Sequence, residues 1–184
     1  IEKDWAWVNS HTRDMDIELV NESDDTTLVA IQGPRAQDVA SKLTDADLES
    51  LGYYRHLNGV FAGRNALIAR TGYTGEDGFE IYVANDDGPA VWDAVMEAGS
   101  EFDITPYGTE TMHVLRAEKG FVIVGQDTDG SVSPVDAGMN WLLAKDKDFL
   151  GKRSLKRSDS VRENRKQLVG LLSKDGRTVV PEGS

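Results

Sequence analysis

The chain has 184 residues, 39% of them hydrophobic and 28% charged, and carries no cysteine. That size suits one sizeable core, or one domain with part of another, and the missing thiols exclude disulfides, thiolate metal sites and a cysteine nucleophile. With 32 acidic residues against 20 Lys and Arg, the formal charge of −12 repels phosphate backbones and anionic lipid, so no nucleic-acid partner is expected. No apolar run approaches the ~18 residues of a membrane span, and the composition suits a soluble, cytoplasmic setting.

In chain order, Ile1, Trp5 and Val8 fall at helical spacing and predict a helix through His11 that begins before the chain does. Asp16 to Val20 and Thr26 to Gln32 flank the polar NESDD and predict a hairpin. Gly33 and Pro34 then break the strand and open a helix to Leu43, with Pro34 near its first position. A second strand pair is predicted at Asn58 to Ala62 and Ala66 to Thr71, joined by GRN. In GFEIYV, Phe79, Ile81 and Val83 face one way while Glu80 and Tyr82 face the other.

Val91, Trp92, Val95 and Met96 mark an amphipathic helix from Gly88 to Ala98 with Gly99 as its cap. Thr105 and Pro106 predict the start of another helix, running to Lys119 and stopped by Gly120. The basic segment from Lys152 to Lys166 reads as a solvated helix or linker, and QLVGLLSKDGRTVVPEGS as a strand, a KDG turn and a second strand. Strands alternating with helices indicate an α+β fold with split βαβ elements. Both ends read as those of a piece of a longer protein.

Several sites are excluded by spacing. GYTGEDG places its glycines as G-x-x-G-x-x-G before a strand, not as a dinucleotide fingerprint before a helix. DTDGSVSPVDAG sets its glycine too early for a calcium loop and lacks the closing glutamate. His11, His56 and His113 have no metal-ligand spacing. What remains is Glu80 on the polar side of its strand, beside Tyr73 and near Tyr53 and Tyr54. A strand carboxylate is rigidly placed, and aromatic neighbours supply flat walls for a planar heterocycle with two adjacent N–H donors, such as a pterin or guanine. Gly72, Gly75 and Gly78, recurring every three residues, predict a backbone brought close to something, and a flat ligand is the expected occupant.

RTGYTGEDGFEIYV, with IEKDWAWVNSH and TTLVAIQGPRAQ, resembles the aminomethyltransferase, or T-protein, of the glycine cleavage system. YGTETMHVLRAEKGFVIVGQDTDGSVSPVDAGM, with DFLGKRSL and RKQLVGLL, resembles the folate domain of the sarcosine oxidase α subunit. Both belong to one folate-binding family. The resemblance implies a folate-binding domain over 1–163 and the start of a C-terminal β-barrel domain over 164–184. It implies tetrahydrofolate as cofactor, with Glu80 holding the pterin edge and Tyr73, Tyr54 and Phe121 as pocket walls. The function implied is one-carbon transfer to tetrahydrofolate. The partner implied is a lipoylated carrier protein on the T-protein reading, or flavin-bearing oxidase subunits on the other. A non-catalytic folate-binding module is the alternative, since the family's catalytic aspartate is expected before Ile1. Met112 stands where T-proteins carry a ligand arginine, and Arg116 matches a second, structural arginine.

Overall fold

The structure, a computed structural model, describes residues 1–179. It comprises two compact units, Ile1–Lys119 and Gly120–Ser184.

The first unit is built on a four-stranded sheet in the order β1-β4-β3-β2, from β1 (Thr26–Gln32), β2 (His56–Phe61), β3 (Arg64–Ala69) and β4 (Gly78–Ala84). Every neighbouring pair is antiparallel, so β1 and β3 run in the same direction with β4 between them. Side-chain alternation sends Val29, Ile31, Phe61, Ile68, Phe79, Ile81 and Val83 to one face. There α2 (Ala36–Ala40) and α3 (Gly88–Gly99) cover them, with Val39, Val91 and Val95 completing the core. Each fully buried aliphatic or phenyl side chain contributes about 1.5–3 kcal/mol of transfer free energy. The α+β expectation and the two-faced reading of GFEIYV both hold.

Several boundaries differ from the sequence expectation. The hairpin at Asp16 to Val20 does not form: residues 17–22 join no ladder, Ile17 and Val20 are exposed, and β1 pairs with β4. The helix expected from Pro34 to Leu43 is only α2: beyond it Lys42 N and Leu43 N bond three residues back, to Val39 and Ala40, and the Leu43 carbonyl then accepts from Ala62 N at 2.7 Å. The β2–β3 turn is Ala62–Gly63, with φ of 49° and 76°, rather than GRN. Two consecutive residues of positive φ match the twist of a tight hairpin, which shifts both strands toward the N-terminus.

Gly99 is not a left-handed cap: the chain tightens into a 3-10 turn at Ser100–Phe102 and reverses at Asp103, φ 56°. Thr105 does not cap a helix either, since its hydroxyl donates to the Asp103 carbonyl; α4 spans Thr109–Glu118 with Gly108 before it. α1 (Glu2–His11) forms as expected but buries no residue.

The second unit is irregular, with short 3-10 turns at Asn140–Leu142 and Lys152–Lys156. Its polar anchor is Asp136, 6% exposed, which accepts hydrogen bonds from Arg165 on both carboxylate oxygens. Arg165 also donates to Asp159 Oδ2 at 2.7 Å. These bonds hold the Asp136 carboxyl well below the usual carboxylate range. Arg165 of the basic segment therefore has an internal role. The KDG turn forms, with Asp175 accepting from the backbone N–H groups of Arg177 and Thr178. Among the described residues no strand forms from 164 to 179, where the first of the two predicted strands was expected; the second runs into 180–184, outside the described residues.

A candidate ligand groove around Glu80

The sheet face opposite the core carries the site. Cross-strand register sets two rows of side chains on it. One runs His56, Ala69, Glu80, Ala30; the next runs Asn58, Leu67, Tyr82, Leu28. Side chains paired across a ladder stand about 5 Å apart, so a methyl group on each side of Glu80 leaves lateral room for a ligand. Glu80, Thr71, Tyr82, Leu67, Ala69, Asn58 and His56 line an open groove of about 870 Å³. Its lining mixes apolar Leu67 and Ala69 with polar His56, Asn58 and Tyr82, and it holds two carboxylates, Glu80 and, on the loop before β1, Glu22.

Glu80 is half-buried. Its Oε2 accepts a hydrogen bond from the Thr71 hydroxyl and a second from the Tyr82 hydroxyl at 3.2 Å. Tyr82 is pushed above its ordinary phenol range by burial and then by the Glu80 charge. Tyr53 is raised by burial, by Tyr54, and by Asp77 and Glu80; Tyr107 is raised by burial, Tyr73 and Glu80. Three phenols thus feel the same carboxylate.

The loop carrying Tyr53 and Tyr54 is fastened by Arg70. Its guanidinium donates to both oxygens of Asp77, at 3.0 and 2.6 Å, to the carbonyls of Leu48 and Leu51, and to Gln37 Oε1. The backbone closes the same link, with Tyr54 N donating to the Arg70 carbonyl at 3.0 Å and Arg70 N to that of Arg55. Tyr54 sits at φ 60°, an uncommon conformation for a bulky residue, and its ring packs on Tyr53 at 4.3 Å between centroids.

The four expected site residues are placed differently. Glu80 lies in the large groove. Tyr73, 55% exposed, lines a smaller groove of about 300 Å³ with Leu28, Trp92 and Tyr107. Tyr54 is 64% exposed, and neither it nor its neighbour Tyr53 lines the large groove. Phe121 belongs to the second unit and is half-buried. Met112 is half-buried on α4, and Arg116 on the same helix is buried.

Thr71, Tyr107 and the flanking alanines were not singled out from the sequence. Tyr82 was placed on the Glu80 face by alternation but not assigned to the site. Among the described residues no cluster of three or more His, Asp or Glu is placed to hold a metal ion.

The glycines have an occupant of their own. A Cβ at Gly72 would collide with the Gln32 carboxamide, and one at Gly78 would lie 2.5 Å from the Ile31 carbonyl oxygen and 2.6 Å from the same carboxamide. Gln32 Nε2 donates to the carbonyl of Thr71 at 3.0 Å, and its Oε1 accepts from Thr74, which is buried. Room at these two glycines serves a side chain that ties the loop to β1, not a ligand.

Residues 1–147 match the GCVT N-terminal domain family. The chain belongs to this family. The resemblance read from RTGYTGEDGFEIYV is borne out. The α subunit of sarcosine oxidase from Corynebacterium sp. (strain U-96) is 46% identical over 187 residues, covering 98% of this chain and 19% of that one. An aminomethyltransferase of Thermotoga petrophila is 39% identical over 183 residues, covering 100% of this chain and 50% of that one. Among solved structures, the heterotetrameric sarcosine oxidase from Corynebacterium sp. U-96 in complex with pyrrole 2-carboxylate aligns with a TM-score of 0.46 at 21% identity, over 55% of this chain and 51% of that one. The chain spans half the length of the aminomethyltransferase and about a fifth of the oxidase subunit. Among the described residues no helix is long and apolar enough to cross a membrane.

Proposed function

We propose that the Glu80 groove receives the pterin of tetrahydrofolate and that the whole protein transfers a one-carbon unit to it as an aminomethyltransferase. The observation that carries this reading is Glu80 itself: a carboxylate set between two alanines on the sheet face that lines the groove. Such a group accepts N–H donation from the edge of a flat ring and holds it in one orientation. The room beside it and the Leu67 and Tyr82 walls fit a fused planar heterocycle. Membership in a folate-binding family supports the same cofactor.

When bound, tetrahydrofolate supplies the N5 amine that accepts the carbon. This chain's residues orient: Glu80 holds the ring edge, Leu67 and Tyr82 wall it, and Tyr73, Tyr54 and Phe121 are assigned to the pocket by the resemblance. In this reading 1–163 is the folate-binding domain, 164–184 opens a further domain, the setting is the cytoplasm and the partner is a lipoylated carrier protein.

A second reading, the folate domain of a sarcosine oxidase α subunit with flavin-bearing partner subunits, is favoured by the 46% identity over nearly the whole chain and by Met112. Calorimetric titration with tetrahydrofolate, with free pterin as competitor, tests the shared core of both. Saturable binding displaced by pterin is the expected result, and its absence overturns the proposal. Ammonia release from an aminomethylated lipoyl carrier by the whole protein supports the transferase reading. Folate binding with no such turnover and no imine capture supports a non-catalytic module.

A further inference from the structure

Glu80 is held by one oxygen. Thr71 reaches it from the loop after β3 and Tyr82 from β4, two residues on, and both hydroxyls donate to Oε2. Among the described residues no donor meets Oε1. An ionised carboxylate oxygen has two lone pairs, so two donors fill Oε2 and leave Oε1 open to an incoming N–H. Each clamp is itself anchored. The Thr71 carbonyl accepts from Gln32 Nε2 at 3.0 Å, and the Tyr82 ring stands between Leu28 and Leu67 in the ladder. A glutamate side chain otherwise free to rotate loses that freedom on binding, and a clamp formed beforehand removes the loss.

We infer that Thr71 and Tyr82 are positioning residues: they fix Glu80 through Oε2 and present Oε1 to the ligand's N–H edge. Their substitution weakens binding only through Glu80. The inference rests on the folate reading of the groove.

The test is calorimetry with tetrahydrofolate on the full chain, comparing Thr71→Val, Thr71→Ser and Tyr82→Phe, each alone and combined with Glu80→Ala. Thr71→Val and Tyr82→Phe each raise Kd by about 3- to 10-fold, the scale of one lost hydrogen bond. Thr71→Ser, which keeps the hydroxyl, stays within about 2-fold of the parent. In the Glu80→Ala background none of them changes Kd further. Losses of equal size in that background mean that the hydroxyls act independently of Glu80, and overturn the inference. So does unchanged binding by both Thr71→Val and Tyr82→Phe while Glu80→Ala weakens it, a result that leaves the folate reading standing. Parent and Glu80→Ala binding equally well overturns both. Tyr82→Phe keeps the ring and its packing, so the test survives a poorly folding Thr71 variant.

Discussion

Gly78→Ala places a methyl group 2.5 Å from the Ile31 carbonyl oxygen and 2.6 Å from the Gln32 carboxamide. The carbonyl is backbone within the β1–β4 ladder and cannot swing aside, while Gln32 can do so only by leaving the Thr71 carbonyl and Thr74. Overpacking of this kind costs about 1–3 kcal/mol and each lost hydrogen bond about 0.5–1.5 kcal/mol. The stiffer unfolded chain returns about 0.4–1 kcal/mol, leaving a net destabilisation of about 1–6 kcal/mol, centred on about 3 kcal/mol. For a urea slope of about 1–3 kcal/mol per molar, the midpoint falls by roughly 1–2 M. Gly52→Ala is the control: its Cβ would meet Arg55 Cγ at an ordinary 3.5 Å, and its stability stays within about 0.5 kcal/mol of the parent. An unchanged Gly78→Ala midpoint would refute the Gln32 account and return those glycines to a ligand.

Two further predictions concern charge. Arg70 hydrogen bonds hold the Asp77 carboxyl below its ordinary range. A depressed folded value stabilises above the unfolded value of about 3.9 and is lost as pH falls through the folded one. The stability gap between the parent and Asp77→Asn is therefore constant near neutrality and closes below about pH 4; a gap that persists in acid by urea denaturation contradicts the pairing. Glu80→Gln removes a charge that raises Tyr82, Tyr53 and Tyr107. Ultraviolet titration of the variant shows these phenols ionising at lower pH than in the parent, and superimposable curves contradict their placement around Glu80.

The sequence exposed β4 best, because strict alternation puts Phe79, Ile81 and Val83 in the core and leaves Glu80 and Tyr82 on one open face. It exposed α3 nearly as well, through the Val91 and Val95 spacing. What it concealed depends on contacts between distant segments. Leu43 looks helical, yet the chain tightens into turns before it and its carbonyl meets Ala62, and Ala62 gives no sign of the positive φ that sets the β2–β3 register.

The site divides in the same way. Glu80 stood out as an acid between core positions, whereas Ala30, Ala69 and Thr71 became site residues only through pairing and loop closure. Gln32 gives no local signal: it meets Thr71 from 39 residues away, so the spacing of the glycines taken alone points to a ligand.

The most direct test of the account is calorimetry of tetrahydrofolate binding by Glu80→Ala against the parent. The account predicts a loss of about 1.5–3 kcal/mol, roughly 10- to 150-fold in Kd, the scale of a charge-assisted hydrogen bond. A folded Glu80→Ala variant with parental affinity would contradict it.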